Sequence, residues 1–224
     1  MLDIKKRAAE RKKQQEEDER RQAELEAEEK KSGKKADAQV GLPAHHRALS
    51  NRSLMITKDL QMLMLPDIIK MRYPKVGDVR EIEFLVSPED GYWKGGNFLF
   101  NVKFPPEYNM VPPIVKCLTK VYHPNIDYNT DVCMSILRVA KSEEDGGWTA
   151  TRGLQDVVTN MIVLFLEPVA SDALNIPVGN TMMKQKDVFE RNVKASMRGE
   201  RVDGQTFEVQ PIKYDFSSGK KGAK

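Results

Sequence analysis

An α+β fold with an antiparallel meander is what the sequence predicts, on three observations. Apolar residues alternate with a period of two through successive segments between Ile82 and Phe104. Segments with helical period stand before and after that stretch. The links between the alternating segments are too short to hold a crossover helix, which argues against βαβ units. Residues 54–200 carry nearly all the branched apolar and Phe residues, whereas residues 1–50 contain no aromatic residue. A charged N-terminal extension and linker is therefore expected over 1–50, a folded core over 51–200 and a weakly ordered basic tail over 201–224. A core of that size buries about two-thirds of its unfolded surface and folds alone.

Leu54, Ile56, Leu60, Leu63 and Met64 predict the first helix, with Ser50 or Ser53 as its cap and Pro66 at or beyond its end. Ile82, Phe84 and Val86 mark one strand; Phe98, Phe100, Val102 and Phe104 mark the next, alternating with Leu99, Asn101 and Lys103. Between them, Asp90-Gly91 and Gly95-Gly96 suit a long hairpin connection. Ile114–Leu118 follows Pro112-Pro113 as a further strand. Residues 121–150 show no clear period, and an irregular stretch of that length inside a compact core is usually functional. Leu154, Val157, Val158, Met161, Ile162 and Phe165 then give the strongest helical signal, with Thr151 a suitable cap. Val188, Phe189, Val193 and Met197 mark a last amphipathic helix.

Composition excludes several classes. The net charge of +3 is too small to argue for nucleic acid, and the basic clusters lack interleaved aromatic residues for base stacking. No apolar run is long enough to cross a bilayer, and charge from Asp3 onward leaves no secretory h-region. Two cysteines without a signal peptide are expected as thiols in a reducing compartment, the cytoplasm or nucleus.

Cys133 is the sharpest chemical candidate, because it sits in a polar loop between Asp131 and Ser135. Cys117 lies in the apolar run Ile114–Leu118, where a buried structural thiol is the default. Cys117, His123 and Cys133 lack metal-ligand spacing, so no metal is expected. A Cys–His protease is poorly supported, since His123 is the one histidine of the core. A thiol that exchanges acyl groups needs less: a nucleophile partly ionised near neutral pH, an oxyanion donor and a carboxylate to orient an incoming amine. Asn125 is a suitable donor type, or a turn residue satisfying its own loop. Asp172, beyond the long helix, is a suitable carboxylate, or a solvated turn acid.

Tyr122-His123-Pro124-Asn125-Ile126, then Cys133 and Ile136-Leu137-Arg138, strongly resemble the active-site segment of ubiquitin-conjugating enzymes. Phe104-Pro105-Pro106-Glu107-Tyr108, Trp148 and Leu166-Glu167-Pro168 support the resemblance, which runs from about Leu54 to Met197. It implies an N-terminal helix, a four-stranded antiparallel meander and C-terminal helices around a shallow groove. It further implies that Cys133 accepts a modifier's C-terminal glycine as a thioester and passes it to a lysine. Asn125 then matches the residue that stabilises the oxyanion or holds the active-site loop, His123 a residue that hydrogen-bonds that loop, and Asp172 the acidic gate. Met110, Thr149 and Ala150 fall on the loops offered to ligases.

Asn109–Pro113, Val115–Lys120, Gly147–Arg152, Ser196–Gly199 and Met1-Leu2-Asp3-Ile4 look most like the neddylation branch. That branch implies a heterodimeric activating enzyme that uses the ATP, a RING-type ligase and cullin targets, with no cofactor on the conjugating enzyme itself. Met1, Leu2 and Ile4 would dock in the activating enzyme, and an acetylated Met1 would fit a co-ligase pocket. Ubiquitin as cargo, and a non-catalytic binding module, are the alternatives. Departures from the family pattern stand out at five positions. Thr130 replaces a turn glycine, leaving Asn129 to meet any demand for positive φ; Ala170 and Ala173 replace gate-loop prolines; Pro177 and Gly179 are expected to interrupt a helix.

Overall fold

The computed structural model describes residues 51–140 and 146–216. Helix α1 (Asn51–Met62) precedes strands β1 (Ile69–Arg72), β2 (Glu81–Val86), β3 (Phe98–Lys103) and β4 (Ile114–Cys117). Helices α2 (Leu154–Leu166), α3 (Ile176–Lys184) and α4 (Lys186–Met197) follow the irregular segment. The four strands lie in sequence order, β1-β2-β3-β4, and every pair is antiparallel. This is the expected α+β meander.

Its first strand escapes the alternation pattern. Ile69-Lys70-Met71-Arg72 is four residues long, with Ile69 buried and Met71 only partly so. Ile82, Phe84, Val86, Phe98, Phe100 and Val102 fill the inner face, all at 1% exposure or less. They pack on α2, where Phe165 stacks on Phe98 at 4.6 Å between ring centroids. Each such side chain contributes about 1.5–3 kcal/mol of burial.

Helix ends differ from the sequence reading for local reasons. Ser53 lies inside α1, where its carbonyl accepts the Thr57 hydroxyl at 2.8 Å; Ser50 lies outside the described residues. Leu54 and Met64 are exposed, so Ile56 is the main core anchor of this helix. The cap of α2 is Gly153 rather than Thr151: its N–H donates to the Asp156 carboxylate at 2.9 Å, and the N–H of Leu154 donates to Asp59. The interruption expected at Pro177 does not occur. Proline stands in the first turn of α3, where its missing N–H would have had no helical partner anyway. Gly179 is needed there for space, since a Cβ would lie 2.4 Å from that of Ala173.

The largest correction concerns the tail. Residues 201–216 form a packed strap, and only 217–224 lie outside the described residues. Gly199 turns the chain at φ +80, where a side chain would collide with Val209. Val202 and Phe207 are buried, with Phe207 against the rings of Tyr122 and Tyr128. Asn97 donates from its backbone to Gln210 and from its side chain to the Ile212 carbonyl, both at 2.8 Å. Tyr214 meets the Thr119 hydroxyl just past β4, and Arg72 in β1 donates to the Asp215 carbonyl and lies over the Phe216 ring. The strap thus spans the sheet from one edge to the other. Leu99 and Asn101, expected to alternate outward, are buried along with Glu83 and Leu85, which fits a strap crossing that face, since Arg72 holds both Glu83 and the strap.

Candidate active site

His123 and Asn125 form the wall behind the cysteine. His123 is fully buried between Trp93, stacked at 4.3 Å, and Phe165. Its Nδ1 accepts the backbone N–H of Asn125 at 2.9 Å, so the proton sits on Nε2, which donates to the Leu164 carbonyl at 2.9 Å. Burial pushes its pKa down to about 3, against the smaller opposing effect of the Leu164 bond. His123 is therefore a neutral strut tying the loop to α2, and too weak a base to activate a thiol.

Asn125 is 3% exposed and its side chain is fully committed. Its Oδ1 accepts the Val169 N–H at 2.8 Å, while Nδ2 donates to the carbonyls of Val169 at 2.9 Å and Asp172 at 3.2 Å. Both amide hydrogens thus go to the loop that carries Asp172. Of the two roles implied for Asn125, this arrangement performs loop-holding.

Cys133 is half-buried and fixed by its backbone, whose N–H donates to the Asn125 carbonyl at 2.8 Å. The turn before it is built on Asp127, whose carboxylate accepts the N–H groups of Asn129 and Asp131 at 2.7 and 2.9 Å. The positive φ of this turn falls on Thr130 itself, at 77°, and not on Asn129. A left-handed non-glycine residue costs roughly 1–2 kcal/mol. Asp127 and the bond from the Cys117 N–H to the Thr130 carbonyl at 2.8 Å hold it in place.

In front of the sulfur lies a charged rim. Asp172, in the short turn Ala170–Asp172, brings Oδ2 to 3.9 Å from Cys133 Sγ. Arg138 places Nη2 at 3.4 Å from the same sulfur and pairs with the same Asp172 oxygen. Sequence reasoning named Arg138 only as part of a motif; no periodicity points to it, because it caps the irregular turn Ser135–Leu137. Cys117 contrasts with Cys133: fully buried, it is pushed up to about 12 by desolvation, which outweighs its bond to the Thr119 carbonyl.

A neutral buried wall, an accessible thiol and a carboxylate beside it suit acyl transfer through sulfur rather than hydrolysis. The sequence model of ubiquitin-conjugating enzymes matches residues 55–197. The chain belongs to the ubiquitin-conjugating enzyme family. It is similar to the NEDD8-conjugating enzyme UBC12 of Eremothecium gossypii, 41% identical over 161 residues that cover 72% of this chain and 84% of that one. To the enzyme of the same name from Yarrowia lipolytica it is 42% identical over 160 residues, 71% of this chain and 86% of the other. The solved structure of S. cerevisiae Ubc12 superposes with a TM-score of 0.66 at 29% identity, covering 83% of this chain and 96% of that one. This ubiquitin-conjugating enzyme is accordingly a transferase for a ubiquitin-like protein.

The loops that carry Met110, Thr149 and Ala150 are joined. Asn109 Nδ2 donates to the Ala150 carbonyl at 2.6 Å, and the Trp148 indole donates to the Asn109 carbonyl at 2.8 Å. Met110 and Ala150 are exposed on this platform, and Thr149 is partly so. Trp148 also ties the platform to the rim, its backbone N–H donating to the Arg138 carbonyl at 2.6 Å. Met1, Leu2 and Ile4 lie outside the described residues.

Proposed function

We propose that this enzyme receives a NEDD8-type modifier from a heterodimeric activating enzyme as a thioester on Cys133 and transfers it to a lysine, with cullins as targets. The observation that carries the reading is the half-buried Cys133 thiol 3.9 Å from the Asp172 carboxylate. Thiolate attack on the incoming thioester forms the new C–S bond, breaks the old one and releases the activating enzyme's cysteine as thiolate. In the second step a lysine amine attacks the carbonyl carbon, the bond to Sγ breaks, and Cys133 leaves as thiolate while the amine's surplus proton passes to solvent. Asp172 attracts and orients the amine, and Asn125 holds the loop that presents it. The likeness to NEDD8-conjugating enzymes supports the choice of cargo. ATP is consumed upstream by the activating enzyme, the RING-type ligase uses Met110, Thr149 and Ala150, and Met1, Leu2 and Ile4 dock on the activating enzyme or, with Met1 acetylated, on a co-ligase. The cytoplasm and nucleus are the compartments that suit a reduced thiol.

A paired charging assay tests this. The purified chain is mixed with ATP and either the NEDD8 or the ubiquitin activating enzyme and its modifier. The expected result is a reductant-sensitive adduct with NEDD8, converted by Cys133→Ser into a reductant-resistant oxyester. An adduct with ubiquitin alone would sink the choice of cargo; no adduct with either would sink the carrier mechanism.

A further inference from the structure

Arg138 is not accounted for by the reaction described above, yet it stands in the middle of it. Its backbone is pinned on both sides: its N–H donates to Ser135 at 3.1 Å and its carbonyl accepts from Trp148 at 2.6 Å. The guanidinium reaches back over the cysteine, with Nη2 at 3.4 Å from Sγ. It pairs with Asp172 through Oδ2, the same carboxylate oxygen that faces the sulfur. An amine attacking a thioester carbonyl bonded to Sγ must arrive beside that oxygen. Arg138 therefore occupies the position the incoming ammonium would seek, and presents the same charge.

We propose that Arg138 is a latch, a positioning residue that competes with substrate lysine for Asp172 and restrains transfer until it is displaced. This rests on Cys133 being the acyl carrier. The pair is built to yield. The side chains of Arg138 and Asp172 are 51% and 39% exposed, so their attraction is screened by water and holds the carboxylate without locking it. With the backbone of Arg138 fixed, only its side chain needs to swing. Because Trp148 also supports the ligase platform through Asn109, the hydrogen bond that pins Arg138 is shared with the surface where a ligase would sit.

The test uses full-length enzyme charged with modifier, then chased with free lysine over a range of concentrations. Formation of the wild-type thioester is scored first; its absence would fail the carrier reading and not the latch. In charged Arg138→Gln, the lysine concentration for half-maximal discharge should fall by about 1.4-fold to fivefold, the range an exposed ion pair is worth. Arg138→Lys should stay near wild type, since it keeps the competing charge. In an Asp172→Asn background, Arg138→Gln should bring no further gain. Discharge onto hydroxylamine, which is neutral at pH 7 and has no need of the carboxylate, should show no such gain from Arg138→Gln. An unchanged or raised half-maximal lysine concentration, a gain that persists in Asp172→Asn, or an equal gain with hydroxylamine would each overturn the latch.

Discussion

The two sides of Cys133 are made by opposite physics. Behind it, His123 and Asn125 are buried, uncharged in their working state and hydrogen-bonded at every side-chain polar atom to backbone. In front, Arg138 and Asp172 are charged and wet. A buried polar group that loses its partner costs about 1–3 kcal/mol, whereas an exposed ion pair is worth about 0.2–1 kcal/mol. The wall therefore sets geometry and resists change, and the rim can rearrange at little cost. A site that must accept a bulky acyl group and then a lysine needs both.

The largest expected break in this contrast comes from Asn125→Ala. It removes three part-buried hydrogen bonds, the acceptor of the Val169 N–H among them, and unties Asp172, so stability should fall by about 1–3 kcal/mol, read from denaturant midpoints. Single-turnover discharge to lysine should fall with it. A loss of discharge on the order of 2.7–4 kcal/mol with stability untouched would instead return the amide to oxyanion duty and blur wall into rim.

Next in size is the pH dependence of His123. Its ordinary pKa is near 6.5 and its folded value about 3, so below 6.5 the unfolded chain binds a proton that the folded one refuses. Its contribution to stability is full above pH 6.5 and is lost as pH falls toward 3. By pH 5 that loss is about 2 kcal/mol. Urea melts at pH 7 and pH 5 should show this drop in wild type and a smaller one in His123→Gln; equal drops would mean the wall does not depend on a neutral imidazole.

The smallest effect sharpens the contrast by touching neither side. Thr130→Gly relieves the left-handed strain at φ 77 and should stabilise the fold by about 1 kcal/mol. Charging and discharge rates should stay at wild-type values. A slower discharge would show that the strained turn helps to aim the sulfur.

Much of this was legible in the chain. The inner-face strand residues of β2 and β3 and the apolar stripe of α2 announce themselves by period, because burial on one face is a linear code. Cys133, Asn125 and Asp172 could be singled out as chemical types, and the structure brings them to one place. Strand β1 stayed hidden because four residues are too few to establish alternation. Arg138 stayed hidden because its importance lies in distances across a fold. The outward burial of Leu99 was missed for a third reason: what covers it comes from more than a hundred residues further along the sequence.

That covering segment bears on how small the enzyme can be made. A version trimmed to the family match, ending at Met197, would lose Tyr214 and Phe216 from above the sheet and Phe207 from beneath Tyr122. Leu85 and Leu99 would meet water, and the floor under the His123 loop would be missing a board. A trimmed version of this enzyme should therefore keep the segment that carries Phe207, Tyr214 and Phe216.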